Sequence, residues 1–111
     1  MVSQGDIIIV DFDPTRGHEP RKRRPALVVS SFEYNISTSM TLVCPITSTV
    51  SGFCLHDPLP EDCPVQGSIV LEQVRALDLN ARPHRVVGHL DEEHLRRALV
   101  CLRSFFERSD G

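Results

Sequence analysis

The chain has no tryptophan, a single tyrosine and no apolar run close to the ~20 residues that a membrane-spanning helix requires. Its first residues also lack the charged and apolar regions of a secretory signal peptide. These absences argue against a membrane protein and predict a cytoplasmic location. With 111 residues, of which 41% are hydrophobic, we expect residues 1–111 to form a single domain with a modest core.

The four cysteines show no C-x-x-C spacing, so a zinc module or a redox motif is not indicated. Cys44 and Cys101 lie within apolar patterns and are predicted to belong to the core. Cys54 and Cys63 flank His56, but their spacing matches no known zinc module. We therefore expect reduced thiols, no metal and no cofactor.

Charge is unevenly distributed along the chain, although its formal net value is only −3. The segment from Arg16 to Arg24 holds five basic residues and one acid, Glu19. Acidic residues gather elsewhere, around residues 57–62 and 91–93. A basic segment in an acidic chain predicts one local site for an anion rather than a general nucleic-acid coat.

Hydrophobic periodicity divides the chain into short strands and one helix. Residues 34–39 are predicted to form a polar turn, and residues 51–67 a loop with a short edge strand at 53–55. Gly88, beside two valines, suggests a bulge in the last strand. The predicted strands are Ile7–Phe12, Ala26–Ser30, Thr41–Ile46, Ser68–Leu71 running on toward Val74, and Arg85–His89.

The segment Asp91–Arg108 is predicted to be an amphipathic helix. Apolar side chains recur at three- and four-residue intervals, and Asp91 suits the N-cap. Short strands, many turns and one terminal helix predict a mainly β, α+β fold, a small curled barrel with helical additions. The apolar positions of the helix are Leu95, Ala98, Leu99, Leu102, Phe105 and Phe106.

Five segments in order resemble the MazF/PemK family of toxin endoribonucleases. The first spans Gly5-Asp6, Val10-Asp-Phe-Asp-Pro-Thr15, Gly17-x-Glu19 and Arg24-Pro-Ala26. The others are Phe32-Glu-Tyr-Asn35, Pro45-Ile-Thr-Ser48, Glu72-Gln-Val-Arg-Ala-Leu77 and the terminal helix.

This resemblance implies an SH3-like barrel assembled as a homodimer. It implies metal-independent cleavage of single-stranded RNA at short motifs, which inhibits translation. Messenger RNA would be a target, with ribosomal or transfer RNA as further candidates. It also implies a MazE-like antitoxin whose acidic, flexible tail covers the RNA groove.

Two positions match residues to which the family assigns catalysis. Arg24 would stabilise charge on the phosphoryl oxygens, because a guanidinium can clamp a phosphate through two hydrogen bonds and does not readily lose a proton. Thr47 would donate its hydroxyl to a phosphoryl oxygen. The alternatives are a surface or acid-paired arginine and a threonine that caps the next turn.

Proton transfer has two candidates in the basic segment. Glu19 matches the family's Gly-x-Glu and would serve as the base, or form a salt bridge with its basic neighbours. His18 stands where relatives often carry a small residue such as serine, and an imidazole titrates near neutrality. The alternative for His18 is an exposed loop residue without a role.

Further residues are predicted to bind RNA. Arg21, Lys22 and Arg23 would contact backbone phosphates, Gln73 would read a base edge, and Phe53 would stack on a base. The alternatives are a charged loop that serves solubility, a structural role for Gln73 and packing of Phe53 in the barrel. The remaining histidines have no counterpart in the family and are interpreted as surface or loop residues; they are His56, His84, His89 and His94.

The sequence is also compatible with two other functions. CcdB toxins share the fold and poison gyrase by binding, but they use a C-terminus that includes a tryptophan, which this chain lacks. A metal-dependent nuclease would need carboxylate ligands. Asp11 and Asp13 lie on one side of a strand, but no third carboxylate is obviously placed with them.

Overall fold

The computed structural model describes residues 1–12, 23–49 and 52–111. Seven antiparallel strands and two helices make up this part of the chain. In chain order they are β1 (Asp6–Asp11), β2 (Arg23–Val28), α1 (Phe32–Thr38), β3 (Thr41–Thr47), β4 (His56–Pro58), β5 (Ser68–Val70), β6 (Arg75–Leu77), β7 (His84–His89) and α2 (Glu92–Ser104). The α+β class expected from the sequence is confirmed.

The strands follow the order β4-β5-β3-β2-β1-β7, and β6 pairs with β3. Gly88 of β7 lies so close to Pro64, in the β4–β5 loop, that an added Cβ would come within 2.5 Å of the proline Cγ. The two ends of the strand order therefore approach each other, and the sheet curls. Ile7 and Ile8 of β1 pair with Gly88 and Val86 of β7, so Val87 is left over between them. This extra residue confirms the predicted bulge in β7.

Two apolar clusters occupy the two faces of the sheet, because successive strand residues point in opposite directions. The first cluster contains Leu27 and Ile46 and is covered by Leu95, Ala98 and Leu102 of α2. The second contains residues such as Ile8, Ala26 and Val43, together with Leu77 and Leu79. Successive side chains of one strand thus reach different cores.

The predicted polar turn at residues 34–39 is wrong, because helix α1 occupies Phe32–Thr38. Ser31 caps its N-terminus by accepting a hydrogen bond from the Tyr34 N–H at 3.1 Å. Ser39 ends it in the left-handed conformation, at φ 60°. Capping residues define this helix rather than an apolar stripe, so hydrophobic periodicity did not reveal it.

The predicted strand at Ser68–Leu71 is confirmed as β5, but its continuation toward Val74 is wrong. A 3-10 turn at Leu71–Gln73 separates β5 from β6. Both strands pair with the same edge of β3, β5 at Ile46–Thr47 and β6 at Thr41–Val43. Ile46 pairs with Ile69, and in the same register Val43 would pair with Glu72. It pairs with Arg75 instead, so the turn inserts three residues along this edge of β3.

Smaller differences concern β4 and α2. The edge strand expected at residues 53–55 lies at His56–Pro58 instead. Helix α2 begins after its predicted cap, Asp91, but ends at Ser104 rather than Arg108. The stripe is correspondingly shorter, since Phe106 is 79% exposed. Cys44 is buried as predicted, whereas Cys101 is only partly buried.

Candidate active-site groove

Arg24 and Thr47 lie on neighbouring strands at the same end of the sheet. Strands β2 and β3 pair Ala26 with Pro45, Leu27 with Cys44 and Val28 with Val43. Continuing this register by two residues sets Arg24 opposite Thr47, with both side chains on one face. The structure therefore brings together the two residues that the sequence indicated for phosphoryl charge.

Both residues line one open groove with a volume of about 760 Å³. Strands β2 and β3, the β4–β5 pair and the 3-10 turn supply its walls. Residues of the groove that bear on its chemistry are Arg23, Arg24, Thr47, His56, Glu72 and Gln73. The groove thus combines cations, a hydroxyl and an ionisable pair along one surface.

Arg24 is exposed near the start of β2, where it pairs with Val10 of β1. Within residues 1–12, 23–49 and 52–111, no carboxylate forms an ion pair with Arg24. Pro25 follows directly and restricts the backbone there. This arrangement places a guanidinium, with its five N–H donors, at the groove.

Thr47 stands at the last position of β3, where its side chain takes part in the following turn. Its Oγ accepts a hydrogen bond from the Thr49 N–H at 3.2 Å. The turn-capping alternative is therefore present in the structure. Accepting through a lone pair orients the hydroxyl and still permits it to donate its own hydrogen to a phosphoryl oxygen.

Of the predicted RNA-binding residues, Arg23 and Gln73 lie in the groove and are exposed. Phe53 is 48% exposed and reaches the groove through His56, with the two ring centroids 5.2 Å apart at an interplanar angle of 90°. Four predicted residues lie outside the described ranges: His18, Glu19, Arg21 and Lys22.

Sequence reasoning missed the ionisable pair in this groove. His56, interpreted as a surface or loop residue, lies in strand β4 with a side chain only 17% exposed, and its Nε2 is 3.0 Å from Glu72 Oε2. Alternation along the β4 strand, once its position is known, would place His56 on the groove face. The short loop-rich segment around it carried no such signal.

Two sets of residues bear on metal binding: Cys54, His56 and Cys63, for which the sequence predicts no metal, and the carboxylates Asp11 and Asp13. No group of three or more His, Cys, Asp or Glu residues there is arranged to hold a metal ion. Asp11 is 3% exposed, and its backbone oxygen accepts a hydrogen bond from Arg82 Nη1 at 2.8 Å. Asp13, the second carboxylate of the metal-dependent alternative, lies outside the described ranges.

The small antiparallel sheet with its polar groove can be compared with known protein families. Residues 3–106 match the family described as PemK-like, MazF-like toxin of type II toxin–antitoxin system. The chain belongs to this family. Among the described residues, no helix is long and apolar enough to cross a membrane.

Curated relatives agree over most of the chain. The sequence is 40% identical over 111 residues to endoribonuclease toxin ChpB of Escherichia coli K12, covering 94% of this chain and 93% of that protein. It is 37% identical over 92 residues to endoribonuclease toxin MazF of the same strain, covering 83% and 82%.

Solved structures agree as well. A MazE–MazF complex from Deinococcus radiodurans matches with a TM-score of 0.84 and 29% identity, covering 97% of this chain and 98% of the matched chain. The family and the barrel fold expected from the sequence are therefore confirmed, and a gyrase-binding CcdB-like toxin is not favoured.

Proposed function

We propose that this protein is the toxin of a type II toxin–antitoxin system and cleaves single-stranded RNA without a metal ion. The observation that carries the proposal is the placement of Arg24 and Thr47 side by side at one groove, in a chain of the PemK/MazF family. Its relatives are named endoribonuclease toxins. Cleavage of messenger RNA in the bacterial cytoplasm would stop translation.

In the proposed reaction, the substrate supplies its own nucleophile. The ribose 2′-oxygen attacks the adjacent phosphorus and loses its proton, while the bond from phosphorus to the 5′-oxygen breaks. The products are a 2′,3′-cyclic phosphate and a 5′-hydroxyl. Arg24 and Thr47 stabilise the negative charge that develops on the phosphoryl oxygens.

Two protons must move in this reaction, one from the 2′-hydroxyl and one to the leaving 5′-oxygen. Glu19 is proposed as the base, and His18 as a second group able to exchange protons near neutrality. Comparing His18→Ser with the wild type across pH tests the second assignment. An unchanged pH–rate profile would remove His18 from the mechanism.

RNA treated with the purified protein, with and without EDTA, tests the whole proposal. Sequencing the new 5′-hydroxyl ends should reveal a short recurring motif, and the cleavage rate should survive chelation. Loss of activity in EDTA would overturn the metal-free mechanism and favour a metal-dependent nuclease. Absence of cleavage over all RNA substrates, together with gyrase inhibition, would favour the CcdB-like alternative.

An antitoxin and a second copy of the chain are the proposed protein partners. Structural relatives were solved as MazE–MazF complexes. The groove's cations suit an acidic, flexible antitoxin tail, which would exclude RNA by occupying the same surface.

A second surface supports a homodimer. A separate apolar groove of about 680 Å³ runs between α2 and β6, beside the exposed Phe106. Light scattering of the purified toxin measures its oligomeric state.

A further inference from the structure

His56 and Glu72 form a hydrogen-bonded pair inside the groove that the proposed chemistry leaves without a role. Their side chains are 17% and 32% exposed, and 3.0 Å separates Nε2 of the histidine from Oε2 of the glutamate. Strand β4 carries the histidine, and the 3-10 turn after β5 carries the glutamate. Residues far apart in sequence thus converge on one wall of the groove.

The orientation of His56 is fixed by its neighbour on β4. Asp57 points to the opposite face, where it is 8% exposed and accepts a hydrogen bond from Arg97 Nη2 of α2 at 2.9 Å. Because successive strand residues face opposite sides, anchoring Asp57 against the helix directs His56 into the groove. The ring of Phe53 also contacts the imidazole, edge to face.

Strand register separates this pair from the residues proposed to bind the scissile phosphate. Thr47 pairs with Ser68 of β5, whereas His56 pairs with Val70 of the same strand. The histidine is therefore two strands away from β3, a lateral spacing of roughly 10 Å, and two residues further along. A nucleotide next to the cleaved bond fits this separation better than the reacting phosphoryl group does.

The negative charge of Glu72 limits which parts of an RNA this pair can contact. A carboxylate repels the phosphates of RNA, so Glu72 does not suit the backbone. It accepts hydrogen bonds through two oxygens, and the one bond to His56 uses only part of that capacity. Base edges that carry N–H groups are the complementary partners, as in the pairing of acidic side chains with the amine of cytosine.

We propose that Glu72, positioned by His56, reads one nucleobase beside the cleaved bond and selects a base with an exocyclic amine. Adenine, guanine and cytosine each present such an amine. Uracil presents a single N–H between two carbonyl oxygens, which the carboxylate repels. This inference rests on the proposed RNA cleavage, and it adds a specificity-determining residue to it.

Sequencing cleavage ends from an RNA library with a randomised central segment tests the proposal. The wild type should disfavour uracil at one position of its motif. Glu72→Gln replaces one acceptor oxygen by a donor amide of the same shape, so discrimination against uracil at that position should fall by about tenfold. Glu107→Gln, near the exposed C-terminus, is the matched control and should leave the motif unchanged.

His56→Asn separates positioning from catalysis. It removes the ring that holds the carboxylate, so the same motif position should lose selectivity, while cleavage at the best site continues and the pH–rate profile keeps its shape. An equal fall in rate at every site, with base preferences unchanged in both variants, would overturn the inference. Circular dichroism and size-exclusion chromatography establish that the variants are folded.

Binding measurements test the base preference of Glu72 independently of whether the protein cleaves RNA. Oligonucleotides with 2′-O-methyl ribose cannot supply the 2′-hydroxyl, so their affinity is measured without cleavage. If the wild type cleaves no RNA, the proposed function fails, and these affinities alone judge the inference. The same order of affinity for all four bases in wild type and Glu72→Gln, including an absence of binding in both, would overturn it.

Discussion

The helix-covered face of the sheet and the groove face are built from the same strands but have opposite character. Cys44 is fully buried and packs in the cluster beneath α2, whereas its neighbour Pro45 and, two residues further, Thr47 line the groove. His56 and Asp57 repeat this division on β4. Alternation along single strands thus gives the helix-covered face an apolar core, while the other face combines a second apolar cluster with the polar groups of the groove.

This comparison predicts that the two faces respond differently to mutation. Changes beneath α2 should lower the free energy of unfolding and leave the activity of each folded molecule intact. Changes in the groove should do the reverse. The experiments below can break this division or sharpen it.

Replacement of Leu95 by alanine should have the largest effect. Leu95 is 7% exposed within the cluster covered by α2, and truncating a buried leucine costs about 2–5 kcal/mol of unfolding free energy. Denaturant unfolding measures the loss. Val100→Ala, on the exposed side of the same helix, serves as the control. A normal unfolding curve for Leu95→Ala would show that α2 contributes little to the core.

Replacement of Arg24 by alanine should reduce the cleavage rate by about 10²–10³-fold, the effect typical of removing a group that stabilises transition-state charge. Unfolding free energy should barely change, because Arg24 is exposed. Rates on a single RNA substrate measure the loss, and Arg108→Ala near the exposed C-terminus is the control. A folded Arg24→Ala protein that cleaves at the wild-type rate would end the assignment.

Thiol reactivity should distinguish buried from exposed positions. Burial, with a smaller contribution from the negative Glu72, raises the pKa of the Cys44 thiol to about 12. Because the thiolate is the reactive form, iodoacetamide at pH 8 should spare Cys44 in the native protein and label it on unfolding. Cys54 is exposed and should react first. Mass spectrometry of digested protein measures both, and rapid native labelling of Cys44 would contradict the packing described.

The smallest effect should come from the start of α2. A hydrogen bond from the His94 ring, Nδ1 to Oδ2 at 2.9 Å, and one from the His94 backbone N–H lower the pKa of Asp91. Asp91 therefore stabilises the fold above its ordinary pKa of 3.8, and this contribution disappears as pH falls through the lowered value.

Asp91→Ala should consequently lower the melting temperature slightly at pH 7 and make no difference once the pH is below the folded-state pKa. Glu92→Ala, in the first turn but without the capping bonds, is the matched control. An equal difference between Asp91→Ala and wild type at both pH values would show that the charge of Asp91 does not matter.

Local patterns predicted the parts of the fold that depend on hydrophobic periodicity. Strands β1, β3 and β7 and helix α2 were predicted within a few residues, because apolar spacing reports directly which face is buried. Helix α1 was missed, since seven residues between two capping serines carry little periodicity. The interruption at Leu71–Gln73 was missed as well, because it follows from two ladders along one edge of β3.

The candidate site divides in the same way. Arg24 and Thr47 were found through their positions in short motifs, and strand register then places them opposite each other. The pairing of His56 with Glu72 depends on how a loop-rich segment folds back over β5, which no local pattern encodes. The assignments of Glu19 and His18 stay predictions.

The 3-10 turn at Leu71–Gln73 has a consequence for how the groove can diversify. Two of its residues, Glu72 and Gln73, lie in the groove and outside both ladders, so substituting them leaves the strand pairing undisturbed. A deletion of one residue would instead turn every β6 side chain to the opposite face. Substitution of Glu72 or Gln73 therefore changes the chemistry of this wall at constant length, whereas a one-residue change in length would disturb the pairing of β6.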